Sequence, residues 1–148
     1  AAGDCEEGSV LFTTDMLVRF HHCDPAGIVF YPRYFEMVNM VVEDWFAEAL
    51  GWSFGAMSAE AGTGVPTVHV ECDFVRASQI GEIITFELGV ESIGTTSFAI
   101  RVTARCGEEE RLRVRAVLVY VQVGRSYRKL PLPERVRTPM QQYLDAAA

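Results

Sequence analysis

The spacing of apolar residues changes once along this chain, and that change sets the class of fold. Over residues 32–50, Tyr34, Phe35, Val38, Val41, Val42, Trp45, Phe46 and Ala49 recur at helical spacing and form a wide apolar stripe. From Val65 the period is two. Val68, Val70, Cys72 and Phe74 alternate with polar neighbours, followed by Ile84, Phe86, Leu88 and Val90, by Phe98, Ile100, Val102 and Ala104, and by Leu112, Val114, Ala116 and Leu118. Gly81-Glu82, Ile93-Gly94 and Gly107-Glu108 mark turns between these runs. Turns this short join antiparallel neighbours. The expected architecture is α+β, an antiparallel sheet curled around one long buried helix in a single domain.

Local signals refine the outline. Residues 15–22 read as a first strand, with Leu17, Arg19 and His21 on one face and Met16, Val18, Phe20 and His22 on the other. Pro32 suits a first helical position, and Gly51 is a natural stop. Residues 53–63 read as a loop or brief helix, and the segment after Leu130-Pro-Leu-Pro133 as a short helix over 134–145. Residues 1–12 are expected to form a flexible lead-in. The strand over 111–123 becomes apolar on both faces from Val117 to Val123. A second subunit is the economical cover for it, and neighbouring loops are the alternative.

Charge and cysteine content narrow the function classes. The net charge of −7 argues against a nucleic-acid partner. It is uneven: residues 1–100 carry 3 basic and 15 acidic side chains (−12), and residues 101–148 carry 10 and 5 (+5). The basic third reads either as solvated strand faces or as a patch for an anionic ligand such as a nucleotide phosphate. No apolar run reaches membrane-spanning length, and residues 1–9 lack the pattern of a signal peptide. Cys5, Cys23, Cys72 and Cys106 show no metal-like spacing, so reduced thiols in a cytoplasmic protein are expected, with no metal site.

The chemistry concentrates in His22-Cys23-Asp24-Pro25-Ala26-Gly27-Ile28-Val29-Phe30-Tyr31-Pro32. It sets a carboxylate just ahead of a helix start, where free N–H groups stabilise an anion. Asp24 has a second reading, because Asp-Pro often starts a turn and its carboxylate serves the backbone. Glu36 and Glu43 share a helical face with Asn39; Glu36 is the second catalytic candidate, with a polar stripe in solvent or at a subunit contact as the alternative. His69 lies on the polar face of its strand, either lining a pocket or at a surface or interface. Cys23 lacks the partners of a thiol nucleophile. Arg111, Arg113 and Arg115 form a stripe that reads as a solvated strand face, with ligand contact as the alternative.

The segment Val18-x-Phe20-x-x-Cys23-Asp24-Pro25-Ala26-Gly27-Ile28-Val29-Phe30-Tyr31-Pro32-x-Tyr34-Phe35 resembles the signature of the 4-hydroxybenzoyl-CoA thioesterase family of hotdog-fold proteins. The resemblance continues through Gly64-Val65-Pro66, the Gly81-Glu82 turn and the proline-rich tail. It implies a five-stranded antiparallel sheet wrapped around one long helix, in homodimers or tetramers of dimers with active sites at the dimer interface. It also implies hydrolysis of an acyl- or aroyl-CoA to the acid and free CoA, with no cofactor beyond the CoA of the substrate. By this resemblance Asp24 is the nucleophile or the general base on water, and the backbone N–H at Tyr31 polarises the thioester carbonyl. Pro32 has no N–H, so further donors would come from Arg33 or Tyr34. Gly27, Phe30, Pro66 and His69 are among the expected substrate contacts, with His69 a candidate for the acyl pocket. Ser97, Arg125 and Arg128 complete the expected substrate contacts, with Arg125, Arg128 and Lys129 as candidates for the CoA phosphates. The chain departs from the family pattern at His22, where many members carry an acid, and at Phe30, where the 4-hydroxybenzoyl-type enzymes often carry Trp. Its turn before Ser97 also lacks the basic residues of some members. Two rival activities are a hydratase or dehydratase of acyl thioesters and a non-catalytic acyl-CoA binding module. The first needs a His near the helix entry, where Val29 and Phe30 stand; the second has no need of a carboxylate at position 24.

Overall fold

A computed structural model describes residues 10–145. Strand β1 (Phe12–Leu17) is followed by a 3₁₀ turn at Phe20–His22, helix α1 (Pro32–Glu48) and helix α2 (Phe54–Ala61). Then come β2 (Thr63–Gly64), β3 (Thr67–Phe74), β4 (Ile83–Ile93), β5 (Ser97–Cys106), β6 (Glu109–Val119), β7 (Val121–Gln122) and β8 (Arg128–Lys129). Helix α3 (Glu134–Met140) runs into a 3₁₀ turn at Gln141–Tyr143. The main sheet has five strands in the order β1-β4-β5-β6-β3, all neighbours antiparallel; β2, β7 and β8 form a small second sheet.

The period-two runs become the inner face of the sheet. Ile84, Phe86, Leu88 and Val90 of β4 are fully buried, as are Ile100, Val102 and Ala104 of β5 and Leu112 of β6. Helix α1 lies against them, with the Phe98 ring 6.2 Å from Trp45 and 6.0 Å from Phe46. Pro32 opens α1, and Gly51, at φ +76°, turns the chain away after it. The expectation of one long helix enclosed by the sheet is refined in two ways. Helices α2 and α3 join the 17-residue α1, and α1 keeps an exposed flank at Glu36, Asn39, Met40 and Glu43.

Three further expectations are corrected. The first strand ends at Leu17, because the Arg19 N–H donates to the His22 ring and curls residues 20–22 into a 3₁₀ turn. It also starts at Phe12, inside the expected lead-in; residues 1–9 of that lead-in lie outside the described residues. The strand over 111–123 breaks at Tyr120, whose N–H donates to Thr96 O as the chain passes from β6 into the small sheet. Val119, Tyr120 and Val121 are therefore buried within the chain, and neighbouring segments provide their cover. Val123, at the end of that run, stays 49% exposed, and edge strand β3 leaves Val68, Val70 and Phe74 60%, 46% and 49% exposed.

Candidate active site

Residues 22–30 fold into a small hairpin directly ahead of α1. The Asp24 N–H donates to Ile28 O (3.0 Å), the Phe30 N–H to His22 O (2.9 Å), and Cys23 pairs with Val29. At its tip the Gly27 N–H donates to Asp24 O (2.9 Å), with Gly27 at φ +83°, a conformation that glycine adopts without steric cost. The Ala26 N–H donates to Asp24 Oδ1 (2.9 Å). The turn-forming role of Asp24 is thus real, but it occupies one carboxylate oxygen; Oδ2 has no hydrogen-bond partner among the described residues. Asp24 faces a cleft of about 510 Å³ with Phe20, Cys23, Pro25, Gly27 and Ile80.

The start of α1 treats its amides unequally. The Arg33 N–H donates to Phe30 O (2.8 Å) and the Tyr34 N–H to Tyr31 O (3.1 Å). Pro32 has none to give. The Tyr31 N–H, at the helix cap, has no acceptor among the described residues. Of the donors expected here, Arg33 and Tyr34 are therefore engaged, and Tyr31 alone is open. Its ring packs edge-on against Phe30 (5.8 Å) and Phe74 (5.9 Å). Phe74, at the end of β3, also meets Tyr34 and Phe35, so the edge strand is pinned to the helix start by an aromatic cluster. Period-two reading placed Phe74 on the apolar face of its strand; only the register of β3 on β6 shows that it reaches α1.

His22, read from sequence only as a departure from the family pattern, is buried inside the hairpin base. Its Nδ1 accepts the Arg19 N–H at 2.8 Å, which puts the ring proton on Nε2. Burial, helped by His21, Arg33 and Arg19, holds its pKa below the ordinary histidine value, with Glu36 opposing. Glu36 itself is paired with Arg33 at 3.0 Å in solvent. An apolar slot of about 260 Å³ runs between α1 and β3, with Phe35, Val38, Val42 and Val70 in its walls and Asn39 and Thr67 as its polar groups.

The other expected contacts lie elsewhere. Asp24, Gly27, Phe30 and Tyr31 sit at the sheet end where β4 begins and β3 finishes, because the Val29 N–H donates to Ser78 O and the Ile80 N–H to Gly27 O. Ser97 starts β5 at the opposite end, about 30 Å away at 3.3 Å per strand residue. Pro66 lies there too, accepting the Val119 N–H, as does the exposed hairpin carrying Arg125, Arg128 and Lys129. These three cations form no ion pair among the described residues. His69 is half exposed on β3 and bonded to Glu71 (3.0 Å), which holds the Glu71 carboxyl below its ordinary pKa. Within one chain the two groups of residues do not meet.

The Arg stripe is mostly what its spacing suggested, with one exception. Arg113 and Arg115 pair with Glu110 and Glu91 across the outer face. Arg111 is 8% exposed in its side chain and clasps Glu82 through two hydrogen bonds, at 2.8 and 3.0 Å. No group of three or more metal-ligating side chains converges among the described residues, and no helix is long and apolar enough to cross a membrane.

Comparison with known proteins places this geometry in a family. The chain is 26% identical over 129 residues to the 1,4-dihydroxy-2-naphthoyl-CoA hydrolase of Acaryochloris marina, covering 85% of this chain and 93% of that protein. It is 27% identical over 90 residues to the 4-hydroxybenzoyl-CoA thioesterase of Pseudomonas sp. strain CBS-3, covering 60% and 64%. Its fold matches the crystal structure of a 1,4-dihydroxy-2-naphthoyl-CoA thioesterase from Synechocystis with a TM-score of 0.80 at 20% identity, over 88% of this chain and 96% of that one. The family model for the thioesterase-like superfamily spans residues 18–140, from the end of β1 through α3. The chain belongs to the thioesterase-like superfamily.

Proposed function

We propose that this protein is an acyl-CoA thioesterase of the aroyl-CoA-hydrolysing type named for its relatives, with Asp24 as the reacting carboxylate. The observation that carries this reading is an open carboxylate oxygen, Asp24 Oδ2, on the hairpin of residues 22–30, which runs directly into an open helix-cap amide, the Tyr31 N–H. Thioester hydrolysis needs an oxygen nucleophile and a fixed donor for the oxyanion that forms at the carbonyl. Asp24 attacks the carbonyl carbon or takes a proton from the attacking water. The Tyr31 amide, backed by the N-terminal dipole of α1, receives the developing negative charge. When Asp24 attacks, the C–S bond breaks to leave an acyl–Asp24 anhydride that water then cleaves. When Asp24 is the base, the water adduct collapses with C–S cleavage. In both cases a proton from the water reaches the departing sulfur, so the acid and the CoA thiol leave and Asp24 returns to a carboxylate. No metal or redox cofactor takes part in these steps.

The complete site is a dimer product in this reading. Antiparallel pairing of two β3 edges covers Val68 and Val70 and sets the Asp24 end of one subunit beside the Ser97 end of the other. Arg125, Arg128 and Lys129 then meet the CoA phosphates, while His69 and Pro66 flank the acyl group. The slot beside Asn39 and Thr67 suits a ring bearing a hydroxyl. Among the described residues, the free thiols at Cys23, Cys72 and Cys106 fit a cytoplasmic setting.

The test is thiol release from a panel of short, long, branched and aromatic acyl-CoAs. Aromatic thioesters should turn over fastest, and Asp24→Ala should abolish release while the protein stays folded. Full activity in Asp24→Ala sinks the reading.

A further inference from the structure

We propose that Arg111 is a positioning residue for the Asp24 hairpin, acting through Glu82 and the loop of residues 77–82. The proposal rests on the assignment of Asp24 above for its catalytic consequence, but not for its structural content. Arg111 lies at the start of β6, on the far side of that loop from the motif. Its guanidinium donates to both oxygens of Glu82, to Ala77 O (3.0 Å) and to Ser78 Oγ (3.2 Å). Its Nε sits 2.8 Å from Glu109 Oε1, an ion pair too oblique to be a hydrogen bond. Its own carbonyl accepts the N–H groups of Val75 and Arg76. Glu82 Oε1 in turn accepts the Gln79 N–H at 2.7 Å. One buried cation therefore holds the loop by main chain and side chain together.

The other edge of that loop is the support of the hairpin. Ser78 O takes the Val29 N–H (2.9 Å), Gly27 O takes the Ile80 N–H (3.2 Å), and Gln79 bridges to Ile28. These contacts grip the hairpin on the strand that runs from the Asp24 turn to Tyr31. Nothing else in the 77–82 loop is buried as Ser78 is, with no solvent exposure at all. A bidentate Arg–carboxylate fork fixes orientation as well as distance, which a lysine cannot reproduce. Loss of the fork loosens the Ala77–Ser78 side of the loop, whose Gly81–Glu82 end stays bonded to the Val18 main chain, and a displacement of about 1 Å at a reacting group is enough to cost roughly 100-fold in rate.

The test compares the full-length wild type with Arg111→Met, Arg111→Lys and Glu82→Gln. Two quantities are read: amide hydrogen exchange at Val29 and Ile80 against Val102 in the sheet centre, and kcat and KM for an aromatic acyl-CoA. Arg111→Met should speed exchange at Val29 and Ile80 selectively by about ten-fold or more, and lower kcat by about ten-fold or more with KM within about three-fold. Arg111→Lys should fall between it and wild type. If Arg111→Met does not fold, Glu82→Gln, which keeps the contacts to Ala77 and Ser78, should show both effects more weakly. Uniform acceleration that includes Val102, or an unchanged kcat in the folded variants, overturns the proposal and leaves Arg111 as a stabilising residue only. Should Asp24→Ala retain activity, the catalytic assignment fails, and the selective exchange at Val29 and Ile80 still decides the role of Arg111.

Discussion

His22 Nδ1 accepts the Arg19 backbone N–H at 2.8 Å, two residues before Asp24. The bond exists only for the neutral ring, and burial already holds the His22 pKa below its ordinary value of 6.5. The neutral form is favoured in the fold, so the stability from this site is complete above pH 6.5 and is lost as pH falls through the lowered folded value. Urea midpoints should therefore drop between pH 7.5 and 5.5, and thiol release should fall with them. His22→Gln should flatten that pH dependence. An unchanged profile in His22→Gln assigns the drop to other groups.

Glu82 titrates in a lower window. The Arg111 fork, followed by the Gln79 N–H, lowers its pKa from 4.5 to about 2. Its contribution to stability is present above 4.5 and disappears as pH falls toward 2. Acid unfolding followed by circular dichroism should show a shallower limb over that window in Glu82→Gln, starting from a lower plateau at pH 7.

Lysine on an edge strand blocks strand addition. Val68→Lys, at a position 60% exposed and outside the slot beside α1, should shift sedimentation toward the monomer with little change in the fold. Activity should fall in parallel if, as proposed, the site draws on the sheet ends of two subunits. A monomeric Val68→Lys with full activity would show that one chain suffices.

Exchanging Arg125 and Arg128 for Glu should raise KM for acyl-CoA by about ten-fold, leave kcat nearly unchanged, and reduce the salt dependence of binding. A truncated substrate lacking the nucleotide should not distinguish this variant from wild type.

Much of this layout is readable from residue order, and the misses have physical causes. The inner faces of β4, β5 and β6 follow from alternation because one face is buried and the other solvated. Helix α1 follows from its stripe, Pro32 and Gly51. Alternation also suggested a strand through Phe20 and His22, but a side chain there takes a backbone N–H and bends the chain, which no period reports. Val117 to Val123 looked like a subunit contact because two-sided apolarity does not say what provides the cover; here the chain changes sheets at Tyr120. Arg111 shares its spacing with Arg113 and Arg115, and only the return of the 77–82 loop over the strand end buries it. The Asp24 motif is visible as chemistry and the resemblance already points to the Tyr31 N–H, whereas the Ala26 N–H on one Asp24 oxygen, and the engaged amides of Arg33 and Tyr34 beside an open one at Tyr31, are hydrogen-bond details that sequence does not display.

In the proposed reaction Asp24 does the chemistry as well as shaping its turn. Asp24→Asn keeps an oxygen for the Ala26 N–H and removes the charge, so it separates the two roles. Under single-turnover conditions with an aromatic acyl-CoA, thiol release should slow by about 100- to 10,000-fold, with substrate affinity and the melting temperature close to wild type. Wild-type release by Asp24→Asn would leave Asp24 with the turn as its only role and the reacting group elsewhere.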